Sequence, residues 1–137
     1  GQLYDSEERR ISMRRIIAAT VILLIVLGSS IGIYFKIISE VDRLTDIACE
    51  IRESVGQKEK TDFWETKRLS DAWDRSETFM VSFLPHSELD DIEIGIKNIE
   101  NYHEQGLTDE YLEEINSVIN RLEHIKESEK PTIKNIF

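Results

Sequence analysis

The uncharged run Ile16–Phe35 constrains this chain more than any other feature of its sequence. Twenty helical residues reach about 30 Å at about 1.5 Å per residue, which is the hydrocarbon thickness of a bilayer. Tyr34 lies at the far end, where aromatic rings favour the membrane interface. The run predicts a transmembrane helix at 16–35, preceded by a short N-terminal segment at 1–15 and followed by a domain at 36–137.

The charges on either side of this run predict its orientation. Arg14 and Arg15 precede it, whereas the far side opens with Lys36 and then mostly acidic residues. Because positive charge is retained on the cytoplasmic side, we expect a single-pass protein of the cell membrane with a cytoplasmic N-terminus. The C-terminal domain is then extracytoplasmic.

A cleaved signal peptide is the competing interpretation. Ile16–Leu27 has the length of a signal h-region, and small residues follow at Ser30 and Gly32. The apolar run nevertheless continues to Phe35, and no Ala-x-Ala motif is present. The sequence favours an uncleaved signal anchor, with secretion after cleavage as the alternative.

The segment before Arg14 raises a separate hypothesis. Arg9 and Arg10 can be encoded AGG-AGG, a bacterial ribosome-binding sequence at a suitable distance from the codon of Met13. Residues 1–12 would then be translated upstream sequence and Met13 the start of the natural chain. The alternative is a short polar tail.

Charge and cysteine content exclude several classes of function. Residues 36–137 carry 13 Lys and Arg against 24 Asp and Glu, an excess of 11 negative charges. Such a domain repels phosphates, so we expect no nucleic-acid partner and no direct docking on anionic lipid. Cys49 is the single cysteine, which rules out an intramolecular disulfide, and no zinc-ligand spacing is present.

The domain reads as helices throughout. Apolar residues after the membrane run alternate at spacings of four and three, which is a heptad seam on a helical stalk. The seam comprises Ile37, Val41, Leu44, Ala48, Ile51 and Val55. Gly56 is predicted to end this helix. The first helix therefore runs through the membrane and continues as the stalk.

Three further helices follow from capping signals and apolar stripes. Asp62 with Glu65 predicts one capping box, Ser87 with Asp90 a second, and Thr108 caps the last helix. Gly106 ends the third helix, and Pro131 ends the fourth. The stripes are Leu69, Ala72, Trp73, Phe79, Met80 and Phe83; Leu89, Ile92, Ile96, Ile99 and His103; and Leu112, Ile115, Val118, Ile119, Leu122 and Ile125. The fold class is all-α, a short antiparallel bundle of three helices with the stalk as a possible fourth.

The stalk seam needs a cover, and two signals disagree about it. Gly28 and Gly32 form the Gly-x-x-x-Gly pattern of membrane dimers. They point away from the seam, because Gly28 and Ile37 are nine positions apart at about 100° each. The longer seam is the stronger signal, and packing within the chain is favoured over a stalk dimer. Homo-oligomerisation stays open.

From Met13 to Phe137 the chain resembles a family of small bacterial membrane proteins, domain of unknown function 4363. The features that carry the resemblance are the basic start with a single span, the segments TDFWE and HSELDDIEI, Trp73, and the closing NIF. Phe63 stands before Trp64, where the family has Asp followed directly by Trp. The resemblance implies a Gram-positive host and a partner among multi-span membrane proteins, and it supplies no catalytic roles.

Candidate chemistry is sparse. His86, Asp90 and Glu93 are weak candidates for a metal or proton-sensing site on one helix face. The favoured alternative is that they serve a Pro-broken corner and the solvated start of a helix. Trp64 and Trp73 are expected to be a boundary ring and a core anchor, with a sugar- or peptide-binding platform as the minority interpretation. His103 is expected at the core edge and His124 exposed.

Two classes of function remain. The first is a structural or accessory subunit of an envelope or membrane complex, with a protein partner. The second is an anchored or secreted binding module for a small ligand, cation or cell-wall component. We expect no enzyme activity and no cofactor, because no nucleophile constellation or phosphate loop is visible. The apolar tail residues Ile136 and Phe137 are predicted to fold back onto the bundle.

Overall fold

The computed structural model describes residues 2–129, which divide into a first unit that ends at Lys36 and a second unit that begins at Ile37. The helices are α1 (Gln2–Lys58), α2 (Phe63–Met80), α3 (His86–Gln105) and α4 (Thr108–Glu129). No strand occurs among the described residues. The predicted all-α class is confirmed. The helix stop at Pro131 and the packing of Ile136 and Phe137 lie outside the described residues.

The first unit is helical and contains the apolar run. Most of its large apolar side chains are exposed, Leu24 to 62% for example. Within the described chain α1 is the one helix long and apolar enough to cross a membrane, and none of its most apolar window is buried by other residues. This composition fits a membrane span or a signal sequence.

The second unit is an up-down-up-down bundle. Paired contacts between helices fix their directions, and each neighbour runs antiparallel to the next. The pairs are Glu40–Ser76 and Ser54–Glu65 between α1 and α2, Asp42–Lys126 and Arg52–Asn116 between α1 and α4, Trp73–Glu93 between α2 and α3, and Glu88–His124 between α3 and α4.

The stalk seam is covered within the chain. All six seam residues are buried, and Val41, Ala48 and Val55 have no exposed surface. Ala48, which is small for a coiled-coil core, lies under neighbouring helices of the same chain. The predicted intramolecular packing of the stalk as a fourth helix is confirmed.

Two helix-end predictions are wrong. The first helix passes Gly56 and ends at Lys58, because the Glu59 N–H still bonds the Val55 carbonyl at 2.8 Å. Glu59 takes the left-handed conformation expected of a glycine, with φ of 53°. Phe83 lies beyond the end of α2 and is 45% exposed, so it does not continue the buried stripe.

The predicted caps have mixed outcomes. Asp62 caps α2 as predicted, accepting bonds from the N–H groups of Trp64 at 2.6 Å and Glu65 at 3.3 Å. The reciprocal half of the box is replaced, since the Glu65 carboxylate accepts a bond from Ser54 Oγ. Gly106 ends α3 in the left-handed conformation, with φ of 71°.

The caps predicted at Ser87 and Thr108 are wrong. Pro85 is the N-cap of α3 and offers no side-chain acceptor, and its fixed φ of −58° leads directly into the helix. Leu107 is the residue just before α4, and its carbonyl accepts the first hydrogen bond of that helix, from the Tyr111 N–H at 3.0 Å. Thr108 is the first residue of α4.

Candidate functional site: a carboxylate cluster between α2 and α3

The cluster is built around the indole of Trp73. Trp73 is 1% exposed, and its N–H needs an acceptor because a buried unpaired donor is costly. Its Nε1 donates to Glu93 Oε2 at 2.8 Å. The hydrogen bond holds the half-buried Glu93 of α3 against α2.

Two further carboxylates lie beside Glu93. Asp74 and Glu77 come from α2, three residues apart on one helix face. One carboxylate oxygen from each of Asp74, Glu77 and Glu93 lies within 4.8 Å of the other two. Asp74 is exposed, whereas Glu77 and Glu93 are half-buried. Lys97 Nζ is 3.6 Å from Glu93 Oε1 on the outer side.

The two half-buried carboxyls differ in their affinity for protons. The Trp73 N–H bond lowers the pKa of Glu93, helped by the Glu77 hydrogen bond and the charge of Lys97, against the opposing effect of burial. Burial raises the pKa of Glu77, followed by its hydrogen bond to Glu93 and the negative charges of Glu93, Asp74 and Asp90. Glu77 therefore binds a proton more readily than Glu93 does.

The predicted metal ligands are not the residues that the fold brings together. Of His86, Asp90 and Glu93, only Glu93 joins the cluster among the described residues. His86 is exposed at the start of α3, and Asp90 is exposed and acts on Glu77 through its charge. Asp74, Glu77 and Glu93 are hard oxygen ligands that could approach a divalent cation from one side. A proton shared between Glu77 and Glu93 would likewise relieve the repulsion among these carboxylates.

Sequence reasoning missed Asp74 and Glu77. The signal was Trp73 itself, because a buried indole requires an acceptor and α3 offers acids on its first turns. Asp74 and Glu77 then lie within one turn of that tryptophan on α2. Which acid on α3 meets them depends on the relative register of the two helices.

Three of the other candidate residues, Trp73, His103 and His124, occupy the places expected, and Trp73 is the core anchor. Trp64 does not, because it was expected at the boundary of the core and is 72% exposed. His103 is half-buried at the core edge, where its Nδ1 lies 2.7 Å from Thr61 Oγ1. His124 is exposed, with Nε2 at 3.9 Å from Glu88 Oε1.

The chain matches a known protein family. The family model "Domain of unknown function (DUF4363)" matches residues 32–136, which is most of the chain. The chain belongs to this family, and the resemblance seen in the sequence is confirmed. Comparison with curated proteins and with solved structures found no match.

Proposed function

We propose that this protein is a single-pass, membrane-anchored helical bundle that serves as a structural or accessory subunit of an envelope or membrane complex. Residues 16–35 are the anchor in this proposal. The N-terminus is cytoplasmic and the acidic bundle extracytoplasmic. The role is non-catalytic.

The observation that carries the proposal is the contrast between the two parts of α1. Its apolar window is entirely unburied by the described protein, whereas its seam from Ile37 to Val55 is covered within the chain. Exposed apolar surface of that extent needs a lipid or protein cover. The stalk seam needs no second copy, so the outer faces of the bundle are free to contact a different partner.

The Trp73 hydrogen bond accounts for the position of Glu93 within the carboxylate cluster. The bundle's excess of 11 negative charges favours a partner surface with basic or neutral polar groups.

Co-purification tests this proposal. The full chain, tagged at its C-terminus, is extracted in mild detergent and analysed by mass spectrometry and light scattering. A membrane protein in constant stoichiometric ratio is the expected result, with an acid-to-amide variant of the bundle surface as the matched control. A chain that leaves the membrane with carbonate at high pH, or that elutes alone from every extraction, contradicts the proposal.

The second candidate is a binding module, and one observation favours it. Phe63 and Trp64 are exposed to 55% and 72%, with ring centroids 5.2 Å apart, and Phe63 also stands 6.3 Å from the His103 ring. Exposed aromatic rings can stack on sugars or peptides. Soluble cell-wall fragments should then shift the Trp64 fluorescence, and the shift should be absent in Trp64→Phe, in which the buried Trp73 still reports folding.

A further inference from the structure

The α2–α3 connection interrupts the charge pattern of the bundle. Residues 78–87 contain no Asp, Glu, Lys or Arg, a run of ten in a domain that carries 37 such residues. The longest comparable run elsewhere in residues 36–137 is six, at 115–120. A solvated corner of an acidic domain does not require such a run.

Apolar side chains are exposed at this connection. Val81 is 40% exposed and Phe83 is 45% exposed, and the Phe79 and Phe83 rings are 5.1 Å apart. We call Phe79, Val81 and Phe83 the apolar corner. Its backbone is held in place, because the N–H groups of Phe83 and Leu84 both bond the Met80 carbonyl, at 3.0 and 2.9 Å. Met80 and Leu84 are themselves buried.

The apolar corner lies at the end of the bundle where the second unit begins. Ser76 Oγ is 2.5 Å from Glu40 Oε2, which sets the level of α2 beside α1. Met80 lies four residues beyond Ser76, or about 6 Å, and Ile37 lies three residues before Glu40 in the same direction. The apolar corner and Ile37 therefore lie at the same end of the bundle. Ile37 is covalently only two residues from Phe35, the last residue of the apolar run.

We propose that the apolar corner inserts into the interfacial layer of a zwitterionic bilayer and forms a second attachment of the bundle, in addition to the helical anchor. The proposal rests on the proposed membrane anchoring. Aromatic and aliphatic side chains gain by entering the headgroup region, and this run brings no Asp, Glu, Lys or Arg side chain into the lipid. The two attachments fix which face of the bundle points away from the membrane.

Spin-label accessibility tests the proposal on the full chain. In a Cys49→Ser background, labels are placed at Ser82 in the corner, at Gln105 at the opposite end of α3, and at Gly28 in the apolar run, each by substitution with Cys. Each variant is reconstituted at one chain per phosphatidylcholine nanodisc, and circular dichroism checks its fold. Accessibility to oxygen reports lipid, and accessibility to a nickel chelate reports water.

The expected result is a several-fold loss of nickel accessibility at Ser82 relative to Gln105, with oxygen accessibility retained. A water-exposed Ser82 beside a lipid-exposed Gly28 overturns the proposal and leaves the anchor standing. A water-exposed Gly28 overturns the anchor itself. A Ser82 label shielded from both reagents indicates a protein contact and also overturns lipid insertion. Phe83→Ser in the Ser82 label background should restore nickel access, since that ring is not part of the core.

Discussion

Gly95 permits the close approach of α3 and α4, and adding one methyl group there should destabilise the bundle. A Cβ at Gly95 would lie 2.7 Å from Val118 Cγ2 and 3.2 Å from Glu114 Oε1. Val118 is 1% exposed and, being β-branched, has little freedom to rotate away. The contact must lengthen by several tenths of an ångström to reach an ordinary 3.4–4 Å.

Two opposing terms determine the magnitude for Gly95→Ala. Replacing glycine by alanine in a helix gains about 1 kcal/mol in propensity. Overpacking a filled core costs about 1–3 kcal/mol. The steric term is the larger one because Val118 has little freedom to move away, so we expect a net loss of about 1 kcal/mol. For a bundle of this size that is a decrease of roughly 4–8 °C in melting temperature.

Thermal unfolding in detergent, followed by circular dichroism, measures the effect. Gly56→Ala is the matched control, since Gly56 is helical and exposed with nothing within 4 Å of its would-be Cβ, and it should stabilise. Adding Val118→Ala should reverse the sign of the Gly95→Ala effect. If Gly95→Ala stabilises as much as Gly56→Ala does, or if Val118→Ala leaves its cost unchanged, the steric argument is refuted.

Three other predictions concern the carboxylate cluster and the helix starts. Trp73→Phe should raise the pKa of Glu93 by removing its hydrogen-bond donor, which a carbon-13 NMR titration would detect; an unmoved titration would contradict the assignment. Folding raises the pKa of Glu77, so the contribution of this group to stability is present below the ordinary glutamate pKa and is lost as pH rises through the raised value. Glu77→Gln should therefore increase the stability at neutral pH and flatten the dependence of stability on pH across that window. Asp62→Ala should cost about 1 kcal/mol in denaturant unfolding, whereas Ser87→Ala should stay within about 0.5 kcal/mol; equal costs would contradict the capping contacts described for α2 and α3.

The helices were predictable because their buried apolar residues recur along the sequence with the period of a helix. The seam from Ile37 to Val55 and the stripes of α3 and α4 are buried largely as their spacing predicts. Tyr111 is an exception, since it is fully buried although the predicted stripe began at Leu112. Its hydroxyl is 2.7 Å from Thr66 Oγ1, an interhelical contact that a pattern within one helix does not contain.

The helix ends and the carboxylate cluster were less predictable, because they depend on contacts between helices. Gly56 suggested a stop because glycine tolerates the left-handed conformation, but the chain makes that turn at Glu59. Ser87 suggested a cap because of its residue type, but Pro85 occupies that position. Glu93 was singled out with neighbours on its own helix, while its partners come from α2. Each outcome depends on how the helices are set against one another.

Labelling of intact cells tests the central claim, a single-pass anchor with an extracytoplasmic bundle, most directly. In a Cys49→Ser background, Gln105→Cys and Ser6→Cys place one exposed thiol in each unit. Protoplasts of a Gram-positive host are treated with a membrane-impermeant maleimide before and after lysis. We predict that the thiol at position 105 is labelled on intact protoplasts, that the one at position 6 is labelled only after lysis, and that both chains sediment with the membrane. Protection of position 105 until lysis, or recovery of its labelled chain from the medium, would contradict the claim.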